Sequence, residues 1–238
     1  MLAAVAAFVG LLIGTVGVGG VLMVSYLALF AGLTIHQAAA TSLFTFLFTG
    51  ILGTWLYQRR GSIDWRISLP VCGAALVFGF LGAALAAVLD PRPLALIIAL
   101  VIVCAGLYIF VPQKSSGRAP GGHWLLASVG AASGFGSGFS GAGGPLFSVP
   151  LMVILGYVPL TAVATSQVLQ IVAATSGSIS NIRNEFVDFR VATIVTVFEL
   201  LGVVAGVRLA HIASPRVLRR LAGALCVVTG LLLLSRSL

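Results

Sequence analysis

Charge is what this 238-residue chain has least of: Asp, Glu, Lys and Arg make up 8% of it, whereas 60% is hydrophobic. A soluble domain carries about 25% charged residues, and a water-facing surface cannot be assembled from so few. Acids are scarcer than bases, 5 against 13, which leaves a formal charge of +8. That excess is not gathered into a basic face interleaved with aromatics, so a nucleic-acid partner is excluded; orientation against anionic lipid accounts for it. Cysteine is rare as well. Cys72, Cys104 and Cys226 are odd in number, lie inside apolar stretches and lack CxxC or metal-ligand spacing, so no disulfide framework, metal or cofactor is expected and they read as packing residues. The first apolar stretch also lacks a basic leader, so it does not read as a cleaved signal peptide.

What the chain does have is long apolar runs. They cover Met1–Ala31, Leu33–Tyr57, Ile67–Leu89, Leu94–Val111, Trp124–Gly156, Val158–Ile182, Val191–Ala213 and Val217–Leu234. Several reach the roughly 20 residues needed to cross about 30 Å of hydrocarbon. The runs are continuous and show no two-residue alternation, which rules out barrel strands. The expected fold is an all-α polytopic membrane protein with about eight hydrophobic segments, in contact with the lipid bilayer.

Sliding the sequence over itself produces a gapless match at an offset of 124, from Gly14 against Gly138 to Leu107 against Leu231. Identities fall at Gly17/Gly141, Gly19/Gly143, Gly20/Gly144, Thr41/Thr165, Ser42/Ser166, Gly53/Gly177, Arg59/Arg183, Asp64/Asp188, Arg66/Arg190 and Pro91/Pro215, among others. Two homologous repeats follow, residues 1–110 and 124–238, joined by the polar linker 111–123. Repeats of this size with interrupted hydrophobic segments at matching positions are found in secondary transporters, an analogy of architecture that leaves function to be argued from a site.

The interruptions are Gly14–Gly20 and Gly138–Pro145, each in mid-run. Four glycines within seven residues favour a helix break, and Pro145 suits the first turn of a new helix. A continuous helix over Met1–Ala31 would be about 46 Å long, too long for an untilted span; two arms of about 12 residues would reach mid-bilayer and return. If each broken run is re-entrant, every repeat has three crossings and the repeats are inverted; if it crosses, each has four and they are parallel. Re-entrant arms collect Arg59, Arg60, Arg66, Lys114, Arg118, Arg208, Arg216, Arg219 and Arg220 on one side, leaving Arg92, Arg183, Arg190 and Arg236 on the other. Simple crossings split the same thirteen eight to five, so the positive-inside rule favours inversion.

Non-helical backbone is tolerated at membrane depth only where it lines a cavity or is buried in protein. The breaks, Gly17, Gly19 and Gly20 with Gly141, Gly143, Gly144 and Pro145, are therefore candidate substrate contacts: restarting helices aim free N–H groups and positive dipole ends inward, which suits an anion. Close helix packing is the competing role for glycine. After each break come Thr41-Ser42 and Thr165-Ser166, followed by Thr45 and Thr49 in the first repeat and by Gln167 and Gln170 in the second. Hydroxyls can bond back to their own helix; two glutamines three residues apart call for partners elsewhere, so the second repeat is expected to give the cavity more donors.

Asp64, Asp90, Glu185 and Asp188 lie at run ends and read as loop caps or surface pairs. Glu199 lies deep inside a run where the first repeat has Ala75; an intramembrane carboxyl is costly when ionised and marks a functional position, either for coupling or gating or as a neutral interhelical bond. Arg59 and Arg183 end the cavity helices and serve either for gating or as interfacial anchors. Gly136–Gly141 fits GxGxxG but follows no strand, so it signals no dinucleotide site. Gly138-Phe-Ser140-Gly141 resembles the GxSG of rhomboid intramembrane proteases, yet no His is centrally placed to activate Ser140. The expectation is a protein that is not an enzyme.

The glycine break GxGG, the A-x-A-T-S start of the next helix, and the loop element Gly61-Ser-Ile63-Asp64, with the first two repeated in full, together resemble the TauE/SafE family of sulfite and organosulfonate exporters across nearly the whole chain. The resemblance implies a bacterial inner-membrane permease for sulfite, sulfonates or related small anions, driven by an ion gradient. Two departures stand out: Val21 where the second repeat has Pro145, and Glu185 with Val187 and Asp188 where the first loop has its glycine. Direction, coupling ion and homo-oligomeric state are open at this level.

Overall fold

The computed structural model describes residues 1–17, 19–109 and 122–212, with helical positions 224, 227, 228, 231, 232, 234 and 235. Most of the last apolar run, with Cys226, Arg216, Arg219, Arg220 and Arg236, lies outside the described residues, as do Phe110 and 111–121 of the linker. Among the described residues the chain is helical: α1 (Leu2–Val16), α2 (Gly20–Phe30), α3 (Ile35–Arg59), α4 (Trp65–Val88), α5 (Pro91–Ile109), α6 (His123–Ser140), α7 (Pro145–Ile154), α8 (Pro159–Arg183) and α9 (Phe189–Ile212). His123, expected in the linker, is already the first residue of α6.

Both glycine clusters break their helix, and in the same manner. α1 ends at Gly17 in a left-handed turn (φ 74°) whose N–H donates to Ile13 O, and α6 ends at Gly141 (φ 66°) donating to Ser137 O. The cap satisfies a helix-end carbonyl and needs the φ that glycine supplies without strain. The four arms, α1, α2, α6 and α7, hold 15, 11, 18 and 10 residues, so the halves of each broken run are less equal than the sequence suggests. The second run turns back on itself. Leu151, Ile154 and Leu155 of the returning arm share a cleft with Leu125, Ser128 and Val129 near the start of α6.

The two long polar helices, α3 and α8, cross antiparallel, with Gly53 beside Gln167, Gly50 beside Ile171 and Leu43 beside Gly177. Around them the arms are exchanged: α1 lies along α9 and α6 along α4. Glycine makes both contacts close. A Cβ on Gly10 or Gly14 would strike the α9 backbone at Glu199 or Val203, and one on Gly130, Gly134 or Gly138 would strike α4 at Val71, Ala75 or Gly79. Small residues let helix axes approach where hydrocarbon gives no hydrophobic drive between helices.

The exterior is apolar, and inside, among an apolar core, a set of polar side chains is buried. Phe48, Ile51, Leu69, Leu76, Leu81, Val197 and Leu201 point outward, whereas Thr41, Ser42, Thr45, Thr49, Thr165, Ser166, Gln167 and Glu199 are fully buried. α3, α4 and α9 are long and apolar enough to cross a membrane. α8 matches α3 in length, 25 residues, but spends more of its sequence on buried Ser, Thr, Gln and Asn. The loop departure noted above resolves simply: Glu185 takes a left-handed φ of 58° where its counterpart Gly61 takes 65°, so the turn is kept without its glycine.

Candidate functional site

The two breaks meet at the middle of the molecule. A Cβ on Gly20 would fall on the Ala142 carbonyl and beside the Phe46 ring, and one on Gly17 would stand 3.1 Å from both Pro145 Cβ and Val149 Cγ2. Gly141 is seated against the Ala39 backbone, Gly143 against Phe46, and Gly144 against Leu169 with Gln170 N behind it. Every glycine of the candidate set, Gly17, Gly19, Gly20, Gly141, Gly143 and Gly144, is buried.

α2 and α7 start here, and neither N-terminus has a side-chain cap. The start of α2 leaves Gly20 N and Val21 N without a partner among the described residues, while Leu22 N donates to Gly19 O at 3.0 Å. In α7 Pro145 has no N–H, and Leu146 N and Phe147 N donate to Gly143 O and Gly144 O at 3.4 and 3.2 Å, so what converges on one region is chiefly the two positive dipole ends. Conformation separates the glycines: Gly17, Gly141 and Gly143 are left-handed, whereas Gly144 is helical (φ −57°). Gly144 is therefore needed for close approach and not for its backbone angle.

The polar stripe divides by partner. Gln170 Nε2 donates to Phe46 O at 3.0 Å and to Thr49 Oγ1 at 2.8 Å, tying α8 to α3; Phe46 and Gln170 are themselves counterparts at the 124-residue offset. Gln167 Nε2 donates to Ile13 O in the last turn of α1 at 3.2 Å, and its Oε1 is buried without a partner. Ser166 Oγ donates to Val163 O at 2.7 Å within its own helix, as Thr45 and Thr49 do to Ser42 O and Phe46 O. Ser42 Oγ is buried and unpartnered. Thr41 and Thr165 hold loops and helix starts instead: Thr41 Oγ1 accepts from Asp188 N at 3.0 Å, and Thr165 Oγ1 accepts from Ser68 Oγ at 3.3 Å.

Other singled-out residues lie away from this centre. Arg59 ends α3 and stacks over the Trp55 ring, 3.8 Å from its centroid, and Arg183 ends α8, exposed. Asp64 and Asp188 cap α4 and α9, accepting from Arg66 N at 2.9 Å and Arg190 N at 3.0 Å. Ser140 Oγ donates to Gly136 O and accepts from Ala142 N. The His36 ring faces Leu89 O and that of His211 faces Val207 O and Ser62, and neither is bonded to Ser140. Sequence reasoning passed over Phe46, which touches both breaks, and Ser133 and Ser137 of α6, which are buried and unpartnered. The four-residue spacing of Ser133 and Ser137, between Gly130, Gly134 and Gly138, was the available signal for an inward face.

An apolar exterior, a set of buried polar side chains and helices split at buried glycines define a helical integral membrane protein with a central polar locus. The chain belongs to the Sulfite exporter TauE/SafE family, whose profile matches residues 2–233. It is 28% identical over 234 residues to the "Probable membrane transporter protein YdhB" of Bacillus subtilis (strain 168), covering 94% of this chain and 96% of that one. No solved structure matches. The family and this relative make the chain a protein of membrane transport.

Proposed function

We propose that the chain is a secondary transporter that moves sulfite, an organosulfonate or a related small anion across the bacterial inner membrane by alternating access, coupled to an ion gradient. The observation that carries this reading is the meeting of two uncapped, buried helix starts, α2 and α7, at the crossing of α3 and α8. Anions are held well by backbone N–H groups at helix N-termini, and Ser42 Oγ and Gln167 Oε1, both without partners, give a polar substrate groups to engage. The repeats are inverted in this reading. Antiparallel α3 and α8, which correspond at the 124-residue offset, support it, as does the returning α6–α7 arm.

Counterflow of labelled sulfite into liposomes containing the purified chain is the test. Saturable, trans-stimulated exchange is expected; conductance without exchange would instead favour an anion channel. Proteolysis has little support, because Ser140 gives its proton to its own helix.

A further inference from the structure

Glu199 is fully exposed to protein and to nothing else: none of its surface reaches solvent, and neither carboxyl oxygen has a hydrogen-bond partner. The Thr45 hydroxyl of α3 stands close enough to hydrogen-bond the carboxyl, but its own proton goes to Ser42 O at 2.9 Å. Among the described residues the elements packed most closely along α9 are α1 and α3. α1 has no titratable side chain, and on α3 the charged or titratable groups are His36, Tyr57 and Arg59, occupied at the helix ends with Leu89 O, Gly14 O and the Trp55 ring. On α9 itself Arg190 and Arg208 stand nine residues to either side, about 13 Å along the axis; His211 is a turn further and bonded to Val207 O. Arg60, just past α3, is engaged with Val207 O at 3.2 Å, and among the described residues no cation faces the carboxyl.

The chain contains its own control for a packing role. The contact of Gly10 with Glu199 recurs 124 residues on as the contact of Gly134 with Ala75. The same helix pair is therefore built with a methyl group in one half, and a carboxyl is not required to build it. An ionised carboxylate without a partner in so apolar a place is strongly disfavoured. Glu199 thus holds a proton in this arrangement, and losing it requires water or a positive group to reach the carboxyl. α1, which leads into the first glycine break, is the element in the way.

Resting on the transporter reading above, we infer that Glu199 is the coupling-proton site, protonated while α1 covers it and deprotonated when the α1–α2 arm moves to open the central locus. The other four acids, Asp64, Asp90, Glu185 and Asp188, lie in loops, so a protonated carboxyl at neutral pH is assignable by infrared spectroscopy. In vesicles of phosphatidylethanolamine and phosphatidylglycerol, the wild-type chain should show a protonated-carboxyl C=O band that fades on alkaline titration and is missing from Glu199→Gln and Glu199→Ala. Absence of the band from the wild type overturns the proposal, whatever the substrate proves to be. In the same vesicles an imposed proton gradient should drive labelled sulfite accumulation by the wild type. Glu199→Gln should lose that accumulation and keep counterflow, because exchange needs no net proton movement. Gradient-driven accumulation by Glu199→Gln equal to the wild type also overturns it. Should Glu199→Gln fail to fold, Glu199→Ala, whose packing Ala75 already demonstrates, takes its place. A wild type without sulfite counterflow defeats the substrate assignment alone, and the infrared titration still decides the proton site.

Discussion

A methyl group added at each glycine of the two breaks meets a different kind of neighbour, and the difference orders the variants. At Gly20 it meets the Ala142 carbonyl, which is backbone and cannot step aside; at Gly144 it meets the tip of Leu169, which can rotate away. Gly20→Ala is therefore expected to lower both thermal stability in detergent and transport, and Gly144→Ala to lower transport while leaving the unfolding temperature nearly unchanged. Gly141→Ala adds backbone strain, since its φ of 66° costs a residue with a Cβ roughly 1–3 kcal/mol. Gly79→Ala, pressed on Ser176 and the Ala173 backbone, should reduce the yield of folded protein but not transport per folded molecule. Near-normal transport by both Gly20→Ala and Gly144→Ala would remove the breaks from the site. The glycines were legible in the sequence because clustering sets them apart. Phe46 was not, being one of 14 phenylalanines with nothing local to distinguish it.

Among elements, the stripe on α8 carries two kinds of polar residue. Gln170→Ala removes two bonds to α3 and is expected to lower stability by about 1 kcal/mol as well as to weaken sulfite binding. Ser166→Ala removes only a bond within its own helix, so the unfolding temperature should hold while binding weakens. Normal transport by both would leave the stripe as interhelical glue. The turn after α8 yields a simpler expectation: Glu185→Gly relieves a left-handed non-glycine residue and should stabilise the protein by roughly 1 kcal/mol, read as a rise in unfolding temperature. The positions of α3 and α8 were legible as the runs Leu33–Tyr57 and Val158–Ile182, whereas their starts, set by the Thr34–Gln37 capping box and by Pro159, were not singled out. Which distant helix each helix packs on was not legible, because Gly10 and Gly134 carry a demand for close approach without naming the partner.

For the whole molecule, the antiparallel crossing of α3 and α8 puts the loops that follow them at opposite ends. Arg66 and Arg190 are exposed counterparts, so Arg66→Cys and Arg190→Cys, each in a cysteine-free background, should react with an impermeant maleimide from opposite faces of the membrane, Arg66→Cys from the cytoplasmic one. Labelling of both from one face would sink the inverted arrangement and restore parallel repeats.

The exchange of arms bears on how the chain is made. α1 is synthesised roughly 170 residues ahead of α9, the helix it lies along, and at about 5–20 residues per second that is a wait of roughly ten to thirty-five seconds. Through that interval Gly10 and Gly14 present a bare groove to lipid or to the insertion machinery. α6 has no such wait, because α4 is already in place when it emerges. The first break is therefore assembled last, and ribosome-stalled chains ending before α9 should leave α1 open to cross-linking while α6 is already protected on α4.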